Sequence, residues 1–223
     1  MLKDKLTALG VKYHNIPFER MPLKPQNLKA YTQLKSLIDS EKFDLIHCHT
    51  PVGGIITRLA AISSRRKNAT KVIYTAHGFH FFKGAPLLNW LLFYPAEWLL
   101  APVTDVLITI NKEDYARARK QLRAKRIEYV PGVGIQTEKF RERSIDRKAK
   151  RASLGYGDAD FLLLTVAEMT PNKNHITILK ALALLKERGD LGSIHYLICG
   201  RGEMWESLEQ SARELGIDDH VNF

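Results

Sequence analysis

The chain predicts an α/β protein built from two successive parallel sheets. Three observations carry that expectation. Short apolar runs alternate with amphipathic stretches along most of the 223 residues, the pattern of strands joined by crossover helices. The alternation stops between Val133 and about Ala159 and then restarts, which divides the chain. Histidines or glycines close several of the apolar runs. Those are the strand ends where a parallel sheet holds its ligands.

Taken in order, "MLKDKLTALG" reads as a helix ending at Gly10, and "VKYHNIPF" as a short strand after it. A helix from about Asn27 to Ser40 places Leu28, Tyr31, Leu34, Leu37 and Ile38 on one face. "FDLIHCH" is a strand of continuous apolar character, followed by a helix from Gly53 to about Ser64. "KVIYTA" is the next strand, "APLLNWLLFYPAEWLL" a largely apolar helix, and "DVLITI" another strand. Asn111 is placed to cap the helix "KEDYARARKQL", and "RIEYVPGVG" is a strand running into Pro and Gly. Beyond the gap, strands "DFLLLTVAEM" and "SIHYLICGRGE" alternate with helices "NHITILKALALLKERG" and "MWESLEQSARELG", and "HVNF" opens a further strand. The expected organisation is a domain over residues 1–135, a linker at 136–159 and a second domain over 160–223, each sheet covered by helices on both faces. Both sheets read as interrupted, because residue 1 falls inside a helix and the last residues only begin a strand.

Composition excludes several classes. With 45% hydrophobic and 26% charged residues, the chain is neither disordered nor fibrous. Its longest apolar region, Phe79 to Ile110, is broken by Lys83, Glu97 and Asp105 and by Pro86, Pro95 and Pro102, so no membrane span is expected. The first residues lack the long apolar core of a secretory signal, which implies a cytoplasmic protein. Cys48 and Cys199 both sit in apolar runs and are expected as reduced, buried thiols. A formal charge of +10 asks for a polyanionic partner: nucleic acid, an anionic membrane face or phosphorylated substrates. The charge concentrates in "RARKQLRAKR" (117–126) and "RERSIDRKAKR" (141–151), runs that a solvated helix face also produces. No nucleic-acid-binding motif accompanies them.

The imidazoles are the most informative side chains. His47 and His49 are expected on opposite faces of their strand, so that at most one faces the ligand end. His49 is favoured, beside Thr50 and the pair Gly53 and Gly54, whose backbone amides open a helix. No third ligand at suitable spacing accompanies them, and no metal site is expected. His77 follows the next strand directly, where an imidazole can donate to a ligand or simply satisfy a core carbonyl.

The blocks "FDLIHCHTPVGGIITRLAA", "KVIYTAHGFHFFKGAP", "DVLITINKEDYARA" and "YVPGVGIQTEKF", in this order, resemble the N-terminal half of retaining glycosyltransferases of family four, the GT-B enzymes. The likeness is greatest to the bacterial branch that builds capsular and exopolysaccharide repeat units. "LLLTVAEMTPNKNHITILKAL" and "ICGRGEMWESLEQSARELGIDDHVNF" resemble the start of that family's nucleotide-sugar-binding domain. The resemblance implies a GT-B fold of two Rossmann-like parallel-sheet domains, both incomplete here. It implies transfer of a sugar from a UDP-linked donor, with retention, to a lipid-linked saccharide, and no cofactor beyond the nucleotide-sugar. The setting would be cytoplasmic, peripheral at the anionic inner membrane face.

Carried over by position, His77 is the catalytic histidine near the donor phosphates and sugar. Lys173 grips the donor diphosphate, and Gly200 and Gly202 supply the Gly-x-Gly turn. The family's arginine position holds Glu168; a carboxylate cannot replace a guanidinium at a diphosphate, so another cation serves or Glu168 contacts sugar hydroxyls. Gly78, His80 and Lys83, with His49, fall on the acceptor side. The family's opening strand and glycine loop are expected before residue 1 and its paired glutamates after residue 223, so the chain alone is expected to be inactive. Two rival readings are a non-catalytic assembly partner and a basic nucleic-acid-binding protein.

Overall fold

The computed structural model describes residues 2–132, 134–141 and 145–223. Val133, in the block read as a strand running into a turn, and residues 142–144, in the second basic run and the expected linker, lie outside the described residues. The chain forms two compact units, Met1–Gln136 and Thr137–Phe223.

In the first unit, helices α1 (Leu2–Ala8) and α2 (Gln26–Glu41) precede β1 (Leu45–His49), α3 (Pro51–Asn68), β2 (Lys71–Ala76), α4 (Leu87–Leu100), β3 (Val106–Thr109), α5 (Lys112–Gln121) and β4 (Arg126–Tyr129). The four strands pair in sequential order and all in parallel. Each strand returns through a helix, as parallel pairing requires. Asn111 caps α5 by accepting from Asp114 N–H at 2.8 Å. The core centres on Val72, Tyr74, Ala76 and Leu107 of the inner strands, packed by Phe79, Phe81 and Phe93.

Two local expectations fail here. No strand forms in residues 11–18; Pro17 lacks a donor, and the stretch after it is held by a side chain instead. Asn27 accepts from Glu19 N–H at 2.9 Å and donates to the Met21 carbonyl at 2.8 Å. On α2 the expected face holds for Tyr31, Leu34 and Ile38, which pack against the core with the buried Asn27 and Ala30 beside them, but not for Leu28, which is 70% exposed.

The second unit holds α6 (Glu138–Arg141), α7 (Arg147–Ser153), β5 (Phe161–Val166), α8 (His175–Glu187), β6 (Ile194–Cys199), α9 (Trp205–Glu214) and β7 (Val221–Asn222). Its three strands are again parallel and sequential. The segment expected as a linker carries helix α7, whose Arg151 is tied to the second unit through the Gly157 and Asp160 carbonyls. Among the described residues, helices do not cover both faces of this sheet. Leu164 and Val166 share one face and are 63% and 76% exposed. Cys199 pairs in register with Val166, so it lies on the same open face. That corrects the expectation of two buried thiols: both cysteines are free, Cys48 buried and Cys199 exposed. Among the described residues no helix is long and apolar enough to cross a membrane.

Candidate active site

The first unit gathers its imidazoles at the C-terminal ends of β1 and β2. His49 is in register with Thr75, and His77 follows two residues later. His47 Nε2 lies 2.8 Å from Thr75 Oγ1, and His49 Nδ1 lies 2.9 Å from His77 Nε2. The rings of His47 and His49 are 4.3 Å apart, centre to centre. The expectation that they point to opposite faces therefore fails. Residues two apart on a strand share a face, and the intervening Cys48 takes the other side, where burial pushes its thiol up to about 11. Burial, followed by repulsion from His47 and His77, lowers the pKa of His49 and favours its neutral ring.

The turn that follows is tight and strained. Thr50 adopts φ 63° and ψ 153°, a conformation costly for a β-branched residue. Its carbonyl accepts from Gly54 N–H at 2.8 Å, so this amide is consumed by the helix rather than left for a ligand. The glycine pair answers a packing need: a Cβ on Gly54 would lie 2.5 Å from the Tyr74 ring, and one on Gly53 2.8 Å from Thr50 Oγ1.

Beside this turn lies a cavity of about 720 Å³, lined by His47, Cys48, His49, Arg20 and His80 among others. Phe18, Glu19 and Arg20 reach it on the strap that Asn27 anchors. The His80 ring leans on Phe93 at 4.6 Å. His77, Gly78 and Lys83 do not line this cavity. Gly78 sits at φ 135°, which only glycine adopts freely, and Lys83 is exposed. The structure thus joins His49 to His77 and places His80 at the cavity, but it does not bring Lys83 to either.

Two features of this region were not foreseen. Asp114, buried at the start of α5, accepts from Phe79 N–H at 2.9 Å and fixes the loop after His77. The sequence carried a signal for it, since Asn111 and Asp114 have the spacing of a reciprocal cap. Arg58 and Glu97 form a buried ion pair between α3 and α4. Each is a lone charge in an otherwise apolar helix face, which was its only trace in the sequence.

In the second unit, Glu168 and Lys173 lie on the loop leaving β5, and Gly200 and Gly202 on the loop leaving β6. All four therefore stand at the C-terminal ends of adjacent parallel strands. The glycines let the two loops touch: a Cβ on Gly200 would meet the Ala167 carbonyl at 1.9 Å, and one on Gly202 the Met169 carbonyl at 2.3 Å. Met169 N–H donates to the Arg201 carbonyl at 3.0 Å. His175 Nε2 donates to the Glu168 carbonyl at 3.2 Å while its Nδ1 meets the Tyr196 hydroxyl at 3.1 Å. Lys173 ends the short turn Pro171–Lys173 and is exposed; α8 starts two residues later, after Asn174 at φ 54°. Among the described residues no group of three His, Cys, Asp or Glu is arranged to hold a metal ion.

The chain is similar to known proteins in sequence and in fold. Residues 2–111 match the family described as glycosyl transferase 4-like, and residues 146–223 match glycosyl transferases group 1. EpsD of Bacillus subtilis (strain 168) is 47% identical over 223 residues, which are 99% of this chain and 58% of that protein. The UDP-Gal:alpha-D-GlcNAc-diphosphoundecaprenol alpha-1,3-galactosyltransferase of Escherichia coli is 27% identical over 186 residues, 82% of this chain and 47% of that protein. The chain thus spans about half the length of these relatives. Among solved structures, Anabaena HepE in complex with UDP-glucose aligns with a TM-score of 0.72 at 17% identity, covering 99% of this chain and 57% of that one. WaaG, a glycosyltransferase involved in lipopolysaccharide biosynthesis, aligns with a TM-score of 0.65 at 15% identity, covering 94% and 56%. Its two parallel-sheet units, matched by both glycosyltransferase families, place the chain among the family-four glycosyltransferases with the GT-B fold.

Proposed function

We propose that the protein transfers a sugar from a UDP-linked donor to a lipid-linked saccharide in cell-surface polysaccharide synthesis, with retention at the anomeric carbon. Residues 1–135 serve the acceptor side, 136–159 link, and 160–223 belong to the donor side. The observation that carries this reading is the His49–His77 hydrogen bond at the ends of two neighbouring parallel strands. An imidazole N–H there donates to the transferred sugar or to the departing phosphate, where charge develops in the transition state. His77 has that role, and Lys173, with the loop ends at Gly200 and Gly202, attracts the diphosphate. Glu168, a carboxylate, contacts sugar hydroxyls. His49, Gly78 and His80 serve the acceptor side, and Lys83 does so from the exposed loop that follows them. The activated sugar brings its own leaving group, so the reaction needs no cofactor. The UDP-bound HepE structures and the diphosphoundecaprenol acceptor in the name of the Escherichia coli relative support the donor and acceptor classes.

Helix α4 supports a peripheral membrane position in the cytoplasm. Its Leu87, Leu88, Leu91 and Leu99 are exposed, and the basic run 117–126 can add roughly 1 kcal/mol per near-surface cation on anionic lipid. Transfer from UDP-sugars to a lipid-diphosphate saccharide, assayed in the full-length enzyme, tests the function. His77→Ala should lower turnover by about a hundredfold or more, the cost of one lost transition-state donor, with the fold intact. Near-wild-type transfer by folded His77→Ala overturns the assignment. Steep salt-dependent binding to random duplex DNA without response to UDP would favour the nucleic-acid reading instead.

A further inference from the structure

We infer that His49 is a positioning residue for His77: it donates from Nδ1 to His77 Nε2 and thereby fixes the His77 proton on Nδ1. This rests on the reading of His77 as a donor to the sugar or phosphate.

His49 Nδ1 and His77 Nε2 are separated by 2.9 Å. Two neutral imidazoles can share such a bond only if one nitrogen carries a proton and the other is bare. Two arrangements satisfy this. In one, His77 Nε2–H donates to His49, and the remaining His77 nitrogen is bare and can only accept. In the other, His49 Nδ1–H donates, and His77 keeps its proton on Nδ1, free to donate outward. Nε2 of His77 is already engaged by His49, so a ring that donates to a ligand must do so from Nδ1. Only the second arrangement permits it.

Both rings hang from backbone that is held in place. His49 is the last residue of β1 and is locked in register with Thr75. The strained Thr50 and its bond from Gly54 N–H end the strand at that point. Behind the His49 ring stands His47, 4.3 Å away and itself held by Thr75 Oγ1 at 2.8 Å. On the other partner, His77 directly follows β2, and the chain beyond it is tied to Asp114 through Phe79 N–H. Burial and then repulsion from His47 and His77 lower the His49 pKa, which favours the neutral ring in which the choice of protonated nitrogen matters. The relation parallels the way a second residue sets the tautomer of a catalytic histidine in other enzymes.

The test reads the tautomers directly, by ¹⁵N-detected NMR of the histidine rings in the ¹⁵N-labelled 223-residue chain. His77 should be protonated on Nδ1 and bare on Nε2, the minority form of free imidazole. In His49→Ala the His77 Nε2 signal should move to the protonated region, as the ring reverts to the form that prevails in water. His49→Asn, whose amide N–H occupies the place of Nδ1, should keep the wild-type pattern. A wild-type His77 protonated on Nε2, or a His77 signal unchanged in His49→Ala, overturns the inference. The spectrum does not depend on transfer. If the tautomers behave as stated and the full-length enzyme transfers no sugar, the functional reading fails and the pairing stands; if His77→Ala abolishes transfer but His49→Ala leaves both spectrum and turnover unchanged, the reverse holds.

Discussion

Arg58 and Glu97 meet as a two-pronged ion pair, Nη1 to Oε2 and Nη2 to Oε1 both at 2.8 Å, with side chains 1% and 3% exposed. Arg58 also donates from Nε to the Gly54 carbonyl at 3.0 Å and stacks its guanidinium 4.1 Å over the Tyr74 ring. The pair thereby ties α3 and α4 together beneath the turn that carries His49. Burying both charges costs desolvation that their attraction and added hydrogen bonds roughly offset. Removing one partner is another matter, since the other stays buried and unpaired.

Arg58→Met should therefore destabilise the first unit by about 3–5 kcal/mol. The double variant Arg58→Met, Glu97→Leu should recover most of that loss. Denaturant unfolding followed by the emission of Trp90 and Trp98, in a Trp205→Phe background, measures both. Equal stability of the single and double variants would show that the pair is not coupled.

Asp105 links α3, β2 and the turn before β4 in the same unit. It binds Arg65 of α3, accepts from Lys125 Nζ at 2.9 Å and from Val72 N–H at 2.8 Å. Partial burial raises its carboxyl, but these hydrogen bonds outweigh burial and hold it well below the usual carboxylate range. A depressed folded-state pKa means that the stabilisation is fully present above the unfolded value of about 3.9 and disappears as pH falls through the folded value. Asp105→Asn should cost about 1.5–3 kcal/mol at neutral pH. The gap to wild type should narrow as the pH drops below roughly 4; a gap that is constant with pH would count against the charge as its source.

Gly200→Ala and Gly202→Ala should each lower the stability of the second unit by about 1–3 kcal/mol or more, because the new methyl must displace backbone rather than a flexible side chain. Gly157→Ala is the control: its nearest neighbour would be Asp160 Oδ2 at 3.6 Å, an ordinary contact. Thermal unfolding of the three variants separates the cases. A Gly202→Ala protein as stable as Gly157→Ala would mean that the two loops are less closely joined than described.

The 223-residue chain, which spans 58% of EpsD, should bind UDP only weakly. The phosphate contact proposed for Lys173 is a single exposed cation, which rarely offsets the ordering and desolvation of a flexible donor, and a Kd near 1 mM, about 4 kcal/mol, is expected. Calorimetry with UDP and UDP-sugars, beside a radiolabelled transfer assay, checks it. Micromolar binding or measurable transfer by this chain alone contradicts the expectation.

The order and type of the sheet-forming elements were legible in the chain's own pattern of apolar residues. Each helix and strand from α2 onward that the alternation predicted is present, because periodicity and capping are local and act through neighbours a few residues away. Asn111 as the cap of α5, and His77 immediately after β2, were legible for the same reason. Tertiary structure decided what depends on the far side of a fold. The buried Arg58–Glu97 pair joins residues 39 apart, and nothing in either segment alone says that the other will meet it. The shared face of His47 and His49 follows from strand geometry, yet their contacts with Thr75 and His77 needed the register of β1 on β2. Cys199, Leu164 and Val166 occupy runs as apolar as any buried strand, and are exposed because burial depends on what packs above a face, which the strand's own residues do not encode.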